Sequence, residues 1–338
     1  MKKSISFPHH IPVLLSNFSS LIPKVSGIWI DGTFGFGGYS RYLLESGASK
    51  LVAIDVDPEV MNYASKLEKI WQDKFKVFNA NFCKMNEIAS GLRLKNISGV
   101  VLDVGLSSMH IDRSIRGFSL KNDGPLDMRM SKKGPSAKDF VNKADENLIS
   151  EVLLKYGEER YAKAIAKRII TVRKKYPIER THQLVNIIEE VLGHTSRQRI
   201  HPATRSFQAI RVAVNNELQN LVDGLESANK LLKIGGILAV ITFHSLEDRI
   251  VKRFFNLKTK NKNVLEEIKC IGGNSEPLYE RLNKKPITAS KKEISENPRA
   301  RSAKLRIVKK VSHHCINIEA RFLGLPAVSN SLSEFQCD

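Results

Sequence analysis

Ile30-Asp31-Gly32-Thr33-Phe34-Gly35-Phe36-Gly37-Gly38-Tyr39-Ser40 reads as the end of a buried strand running into a glycine-dense turn. Glycine accepts positive φ and carries no Cβ, so such a turn lets the backbone come close to a ligand. The next apolar run, Leu51-Val52-Ala53-Ile54, ends in Asp55, and an acid at a second strand's carboxyl end can accept hydrogen bonds from both ribose hydroxyls. The pair points to a nucleoside cofactor. The glycines fall at 32, 35, 37 and 38, which is not the dinucleotide spacing G-x-G-x-x-G. S-adenosylmethionine, with a ribose but no pyrophosphate, therefore fits better than NAD. The glycines alone would equally suit a tight turn before a helix; Asp55 favours the cofactor.

Outward from this turn, short β-rich runs alternate with helical stretches. The expected strands are Ile28 to Asp31, Leu51 to Asp55, Phe75 to Phe78 and Val100 to Asp103, with a helical pattern from Pro58 to Trp71 as a crossover. The alternation then stops. From 111 to 204 there is no convincing strand, but apolar residues recur at helical spacing at Ala162, Ile165, Ala166 and Ile169, and at Leu184, Ile187, Ile188 and Val191. Thr181 and Gly193 are the expected caps of the second helix. A long helix with Phe207, Ile210, Val214, Leu218, Leu221 and Leu225 on one face leads to a buried strand, Ile237 to Thr242. This predicts an α/β core in two parts, 1–110 and 205–312, around a helical insertion at 111–204. The lysine- and asparagine-rich stretch from Asn256 to Lys285 reads as a loop, a last strand is expected near Ala303 to Val308, and 313–338 is left unassigned, with fraying as the default.

The chain has 338 residues and carries 54 Lys and Arg against 35 Asp and Glu, a formal net charge of +19. That favours a polyanionic partner, nucleic acid first, over an acidic small molecule, although a basic surface alone would give the same count. No apolar run approaches the ~20 residues of a spanning helix, and no signal-peptide core opens the chain, so a cytoplasmic, non-membrane protein is expected. Cys83, Cys270, Cys315 and Cys337 form no C-x-x-C pair and no metal-ligand spacing with histidine, which predicts free thiols and no metal site.

Two polar clusters follow strands at the sheet edge where open α/β sheets bind ligands. Asp103-Val104-Gly105-Leu106-Ser107-Ser108 comes first; a carboxylate there can hold a cationic group or accept a hydrogen bond from an amine, or can simply cap the next segment. His244, Ser245, Glu247 and Asp248 come second, and a Ser245–Asp248 capping box explains Ser245 as well as catalysis does. A Ser-His-Asp hydrolase is disfavoured because the G-x-S-x-G elbow is missing. In the insertion, Arg160, Lys163, Lys167 and Lys174 share one helical face that could neutralise phosphates or be merely solvated, while Arg197, Arg199, His201 and Arg205 fall in a junction loop.

Together these stretches resemble the methyltransferase H family, the S-adenosylmethionine-dependent enzymes that methylate the exocyclic amine of a cytidine in small-subunit ribosomal RNA. The similarity runs from about residue 8 to 310. It is carried by His10-Ile11-Pro12-Val13-Leu14-Leu15, Asp31 to Ser40, Asp103 to Ser108, Arg116-Gly117-Phe118-Ser119, Asp123-Gly124-Pro125-Leu126-Asp127-Met128-Arg129-Met130, Tyr156-Gly157-Glu158-Glu159-Arg160, His201 to Arg205, Phe243 to Lys252 and Asn297 to Ser302. It implies a Rossmann-like class I methyltransferase sheet with an inserted all-helical domain, and cofactor contacts at Gly37, Gly38, Tyr39, Asp55, Phe82, Asp103 and His110. The family commonly has histidine at 39 and glutamine at 110; both departures keep a hydrogen-bonding side chain. The implied reaction is direct displacement by the N4 amine of a cytidine in 16S RNA, with Asp103 and His244 as catalytic candidates and Lys163, Lys167, Arg199 and Arg205 on the RNA. The expected partner is the assembled or nearly assembled small subunit, and a homodimer is compatible with the resemblance. A DNA amine methyltransferase would carry a D/N/S-P-P-Y/F motif after the fourth strand, which Asp103-Val104-Gly105-Leu106 is not. A non-catalytic RNA-binding assembly factor would share the charge and fold.

Overall fold

The computed structural model describes residues 12–193, 201–257, 278–312, 319–329 and 331–337. They form two compact units, one comprising Met1–Gly105 with Gln219–Leu325 and the other Leu106–Leu218 with Pro326–Asp338.

The first unit is a sheet of β1 (Ile28–Asp31), β2 (Lys50–Asp55), β3 (Phe75–Asn79), β4 (Ile97–Asp103), β5 (Leu232–Thr242), β6 (Tyr279–Arg281), β7 (Ile287–Thr288) and β8 (Lys304–Lys310). The order is β3-β2-β1-β4-β5-β8-β6, with β7 also paired to β8. β1 to β5 pair in parallel, and β8 runs antiparallel to its neighbours β5, β6 and β7. This is the Rossmann-like methyltransferase sheet. Chain direction across the sheet reverses between β1 and β4, and ligands bind such a sheet beyond the strand carboxyl ends at that switch point. Asp31 ends β1 and Asp103 ends β4, so both acids lie there. Parallel strands covered on both faces read as continuous apolar runs, and Val100, Val101 and Leu102 are fully buried. The covering helices include α1 (Leu15–Leu21), α2 (Gly38–Glu45), α3 (Met61–Trp71) and α4 (Met85–Gly91). No helix among the described residues is long and apolar enough to cross a membrane.

The helical unit contains α5 (Ser108–Asp112), α6 (Ala137–Lys143), α7 (Glu146–Gly157), α8 (Ala162–Arg173), α9 (Thr181–Leu192) and α10 (Thr204–Val214). Its only pairing outside named strands among the described residues is an isolated bridge between Pro125 and Arg180. Ala162, Ile165, Ala166 and Ile169 of α8 and Leu184, Ile187 and Ile188 of α9 are buried, as their spacing predicts.

Four local expectations need correction. The long helix is two, α10 and α11 (Glu217–Leu231), because Asn216 is left-handed at φ 49 and the Asn215 side chain leaves the helix to donate to Met128 O and accept from Met130 N. Thr181 does not cap α9: Arg180 occupies that position, the Asp123 carboxylate accepts the His182 N–H, and Thr181 Oγ1 accepts the Gly124 N–H. The stretch assigned to a loop ends in a strand, β6, whose Tyr279 is buried and donates to Asn229 Oδ1. The tail does not simply fray. A helix at Ser331–Cys337 buries Leu332 and Phe335, sets Phe335 edge-on to Phe140 at 5.4 Å, and anchors Gln336 on Ala213 O.

One ion cluster ties α12 (Ser245–Leu257) to the antiparallel edge. Asp248 accepts from Arg306 at 2.8 and 3.2 Å and from Lys304 at 3.1 Å. Burial opposes the Asp248 charge, but Arg306 and then Lys304 outweigh it and hold the carboxyl below its usual range. Asp248→Ala would leave the largely buried Arg306 without its partner, at a cost of about 2 kcal/mol. Urea unfolding of parent and variant measures this, and a loss under about 0.5 kcal/mol would make it an ordinary surface pair.

Candidate active site

The glycine turn is organised by two strand-end acids. Asp31 is buried, accepting from Thr33 N at 3.2 Å and from Ser40 Oγ at 2.7 Å, so it pins both ends of the turn. Asp55 Oδ2 accepts from Gly35 N at 2.7 Å and Oδ1 from Asp57 N at 2.9 Å. Both oxygens of Asp55 thus face backbone N–H groups at the carboxyl end of β2. Gly35 and Gly37 have φ of 52° and 75°, which explains glycine at both. Gly38 opens α2, and a Cβ there would collide with Pro12; the missing side chain makes room for the N-terminal segment. Tyr39 serves the same segment. Its buried phenol donates to Val13 O at 2.6 Å and its ring packs edge-on to Phe18.

Phe82 follows Asn81, whose side chain caps the turn by accepting from Cys83 N. A Cβ at Gly224 of α11 would collide with the Phe82 ring, so this mid-helix glycine is the seat of that ring.

Asp103 is the centre of the electrostatics. Its N–H donates to Thr33 Oγ1 at 2.6 Å, joining the β4 end to the turn, and its Oδ1 is buried with no hydrogen-bond partner among the described residues. Burial first, then the charges of Asp31 and Glu247, push the Asp103 carboxyl up to about 8. Burial also pushes Asp31 up to about 6, against its hydrogen bonds from Ser40 and Thr33 and with a further contribution from Asp55. Carboxylates gathered in this way favour a cationic ligand, because a positive charge would satisfy the orphaned oxygen and offset the mutual repulsion. S-adenosylmethionine, with its sulfonium and ammonium, fits that requirement.

His244 stands in the turn that follows β5. The strand-to-helix turn after β5 is closed by a reciprocal pair, in which Glu247 Oε2 accepts from Phe243 N and His244 N at 2.8 and 3.2 Å and His244 Nδ1 accepts from Glu247 N at 3.4 Å. The capping box is thus His244–Glu247, one residue before the Ser245–Asp248 box expected from sequence, and Ser245 is an exposed first helical residue. His244 Nε2 lies 2.9 Å from Glu247 Oε1 and is buried without a hydrogen bond among the described residues. Asp248 belongs to the β8 ion cluster instead.

The remaining expected residues lie in the helical unit. His110 is buried, its Nδ1 accepts from Ser107 N at 3.2 Å, and its ring tilts against Phe118 at 5.0 Å. Lys163 and Lys167 are exposed on α8, and Arg205 is exposed at the start of α10 with Nη1 3.4 Å from Glu158 O. Arg197 and Arg199 lie outside the described residues. The stretch Asp123 to Met130 is scaffold: Asp123 and Gly124 hold the start of α9, Arg129 doubles back on Asp127, and the Met128 and Met130 backbone receives Asn215. Sequence reading missed Asp31 and Gly224 as individual contributors; Asp31 stands in the glycine motif itself, but nothing local marks Gly224.

The sequence pattern of the MraW methylase family matches residues 7–311. The chain belongs to the MraW methylase family. Among MraW-family relatives, the ribosomal RNA small subunit methyltransferase H of Cereibacter sphaeroides strain ATCC 17025 is 42% identical over 319 residues, covering 94% of this chain and 95% of that protein. The protein of the same name from Roseobacter denitrificans is 44% identical over the same shares. An rRNA methylase structure from Streptococcus thermophilus overlays with a TM-score of 0.39 at 10% identity, over 89% of this chain and 98% of that one. As an MraW-family member the chain is an S-adenosylmethionine-dependent rRNA methyltransferase, and the family's activity is on the N4 amine of cytosine.

Proposed function

We propose that this chain methylates the N4 amine of a cytidine in small-subunit (16S) ribosomal RNA within the assembled or nearly assembled subunit, with Asp103 as the catalytic residue. The observation that carries the catalytic part is the partnerless Asp103 Oδ1 among buried acids at the switch point. Backbone N–H groups at Gly37, Gly38 and Tyr39, with Asp55, Phe82 and Asp103, would hold the cofactor, and His110 would contribute through the α5 turn that it fixes. When bound, S-adenosylmethionine supplies a methyl group on a cationic sulfur, open to direct displacement by an amine.

An aromatic exocyclic amine is a poor nucleophile whose proton must be taken as nitrogen gains positive charge. Asp103 is suited to that. Near a cation its carboxyl is ionised; once the positive charge has moved from sulfur to the amine nitrogen, Asp31 and Glu247 again raise its proton affinity. Proton uptake by Asp103 is therefore favoured when the amine has a proton to lose. His244 keeps Glu247 in place, and the target base must leave its stack to reach such a site.

Two outcomes test the binding residues. Asp55→Ala should weaken cofactor binding at least about tenfold by removing a charge-assisted contact and the tether of Gly35 and Asp57. An unchanged dissociation constant in calorimetric titration would remove Asp55 from the site. Reversing Lys163 and Lys167 to Glu should lower the slope of log affinity against log salt by about 1 to 2 for RNA while cofactor binding is unaffected. Equal slopes would return that face to solvent.

The substrate itself is tested by transfer of labelled methyl to small subunits lacking the modification, compared with naked 16S RNA. Labelling of subunits well above naked RNA is expected. Equal or preferential labelling of naked RNA would make free RNA the substrate.

A further inference from the structure

We propose that Glu293 is a positioning residue for S-adenosylmethionine, acting on the cofactor turn through the peptide that joins Val13 to Leu14; the proposal rests on the assignment of Gly37, Gly38 and Tyr39 to the cofactor. Glu293 is the third residue of α13 (Lys291–Glu296), whose cap is Ser290. Ser290-Lys291-Lys292-Glu293 is a capping-box sequence, in which the acid turns back to the N–H of the cap residue. Only half of the box forms. Ser290 Oγ accepts from Glu293 N at 3.1 Å, but the Glu293 carboxylate leaves its own helix and accepts the N–H of Leu14, 279 positions away, at 2.7 Å. Proteins give up a local rule of this kind mainly where function asks for it.

Leu14 is fully buried and left-handed, at φ 57° and ψ 20°, a conformation that a residue with a branched side chain keeps only where its surroundings fix it. The Leu14 N–H and the Val13 carbonyl are the two poles of one peptide group. Glu293 takes the N–H pole, and the Tyr39 phenol donates to the carbonyl pole at 2.6 Å. Beside them Pro12 fills the space that a Cβ on Gly38 would need. A carboxylate on the N–H polarises the peptide and makes its carbonyl a better acceptor for Tyr39. The charge of Glu293 also reaches the phenol, adding to the burial and to the charges of Asp103 and Asp31 that keep it protonated and able to donate. Gly38 and Tyr39 open α2, so whatever fixes the 13–14 peptide fixes the backbone offered to the cofactor. Without the carboxylate nothing holds the N–H pole, and the peptide is free to turn away from Tyr39.

Calorimetric titration of the full chain with S-adenosylmethionine tests this. Glu293→Ala should weaken binding about 5- to 30-fold, the part of a charge-assisted hydrogen bond that the relay passes on. Glu293→Gln, whose amide oxygen still accepts the Leu14 N–H, should stay within about threefold of the parent. In steady-state methylation the loss should appear in KM for the cofactor, with kcat changed less than about threefold, a split that general loss of folding would not produce. Tyr39→Phe should weaken binding too, and adding Glu293→Ala to it should cost far less than Glu293→Ala alone, because both act on one peptide. Binding by Glu293→Ala within about twofold of the parent, or additive losses in the double variant, would overturn the proposal. If Asp55→Ala still weakened binding about tenfold in that case, the cofactor-site assignment would stand. Unchanged affinity in Asp55→Ala as well would overturn both.

Discussion

Asp103→Asn lowers single-turnover methyl transfer about 10²- to 10⁴-fold at saturating cofactor and RNA, the usual range for removing a general base. The amide keeps the size of the carboxyl and can retain a hydrogen bond, but it can neither take a proton nor offer a full negative charge to a sulfonium. Cofactor affinity should fall as well, so the rate has to be read at saturation. His244→Ala behaves differently. It removes the side-chain half of the cap at the α12 turn, which is worth about 1 kcal/mol, and relaxes Glu247, so it should weaken stability and slow transfer without abolishing it. If Asp103→Asn transferred methyl within about threefold of the parent, Asp103 would be a binding residue and the proton would go elsewhere.

Affinity for S-adenosylmethionine should rise with pH between about 6 and 8, by up to about tenfold per pH unit if binding the cation requires one proton to leave. The sign follows from the groups around Asp103. Asp31 on β1, Asp55 on β2 and Glu247 on α12 are all acids, Tyr39 on α2 is a buried phenol that its burial and Asp103 keep protonated, and His244 is bound to Glu247. Without a cation Asp103 is held up to about 8 and carries a proton through much of that window. A sulfonium or ammonium nearby expels it. S-adenosylhomocysteine keeps the ammonium but lacks the sulfonium charge, so its affinity should depend less steeply on pH. Titrating both ligands calorimetrically in buffers of different ionisation enthalpy counts the protons released. Equal counts for the two ligands would place the sulfonium away from Asp103. The ligand-free core should show the reverse dependence. Groups whose folded pKa is raised stabilise the fold below the unfolded value near 4 and lose that contribution as pH climbs through about 6 for Asp31 and about 8 for Asp103.

What the sequence disclosed and what it hid divide along physical lines. β1, β2 and β4 were legible because strands buried on both faces read as apolar runs, and each of the three ends in an aspartate. The turn from Asp31 to Ser40 was legible because positive φ at Gly35 and Gly37 restricts the residue type. β6 was hidden because three residues set no period; its pairing with β8 and the burial of Leu278 and Tyr279 hold it in the sheet. The break at Asn215-Asn216 was hidden because the apolar stripe passes through it unaltered, and the cause is a side-chain bond to Met128 and Met130, distant in sequence. The contacts of His244 were hidden for a related reason. Position at a strand end is visible in sequence, but whether an imidazole nitrogen is free or already accepting a backbone N–H is not. Tyr39 and Gly38 show the same limit, since their value lies in seating Pro12 and Val13.

This chain is expected to place one methyl group on the exocyclic amine of a cytidine in small-subunit RNA. The direct measurement is mass spectrometry of nucleosides digested from unmodified small subunits after incubation with the protein and isotopically labelled S-adenosylmethionine. Label is expected in N4-methylcytidine and is expected to be lost from the Asp103→Asn reaction. Label in a ribose methyl, in 5-methylcytidine or in another base, or none at all with the parent protein, would contradict it.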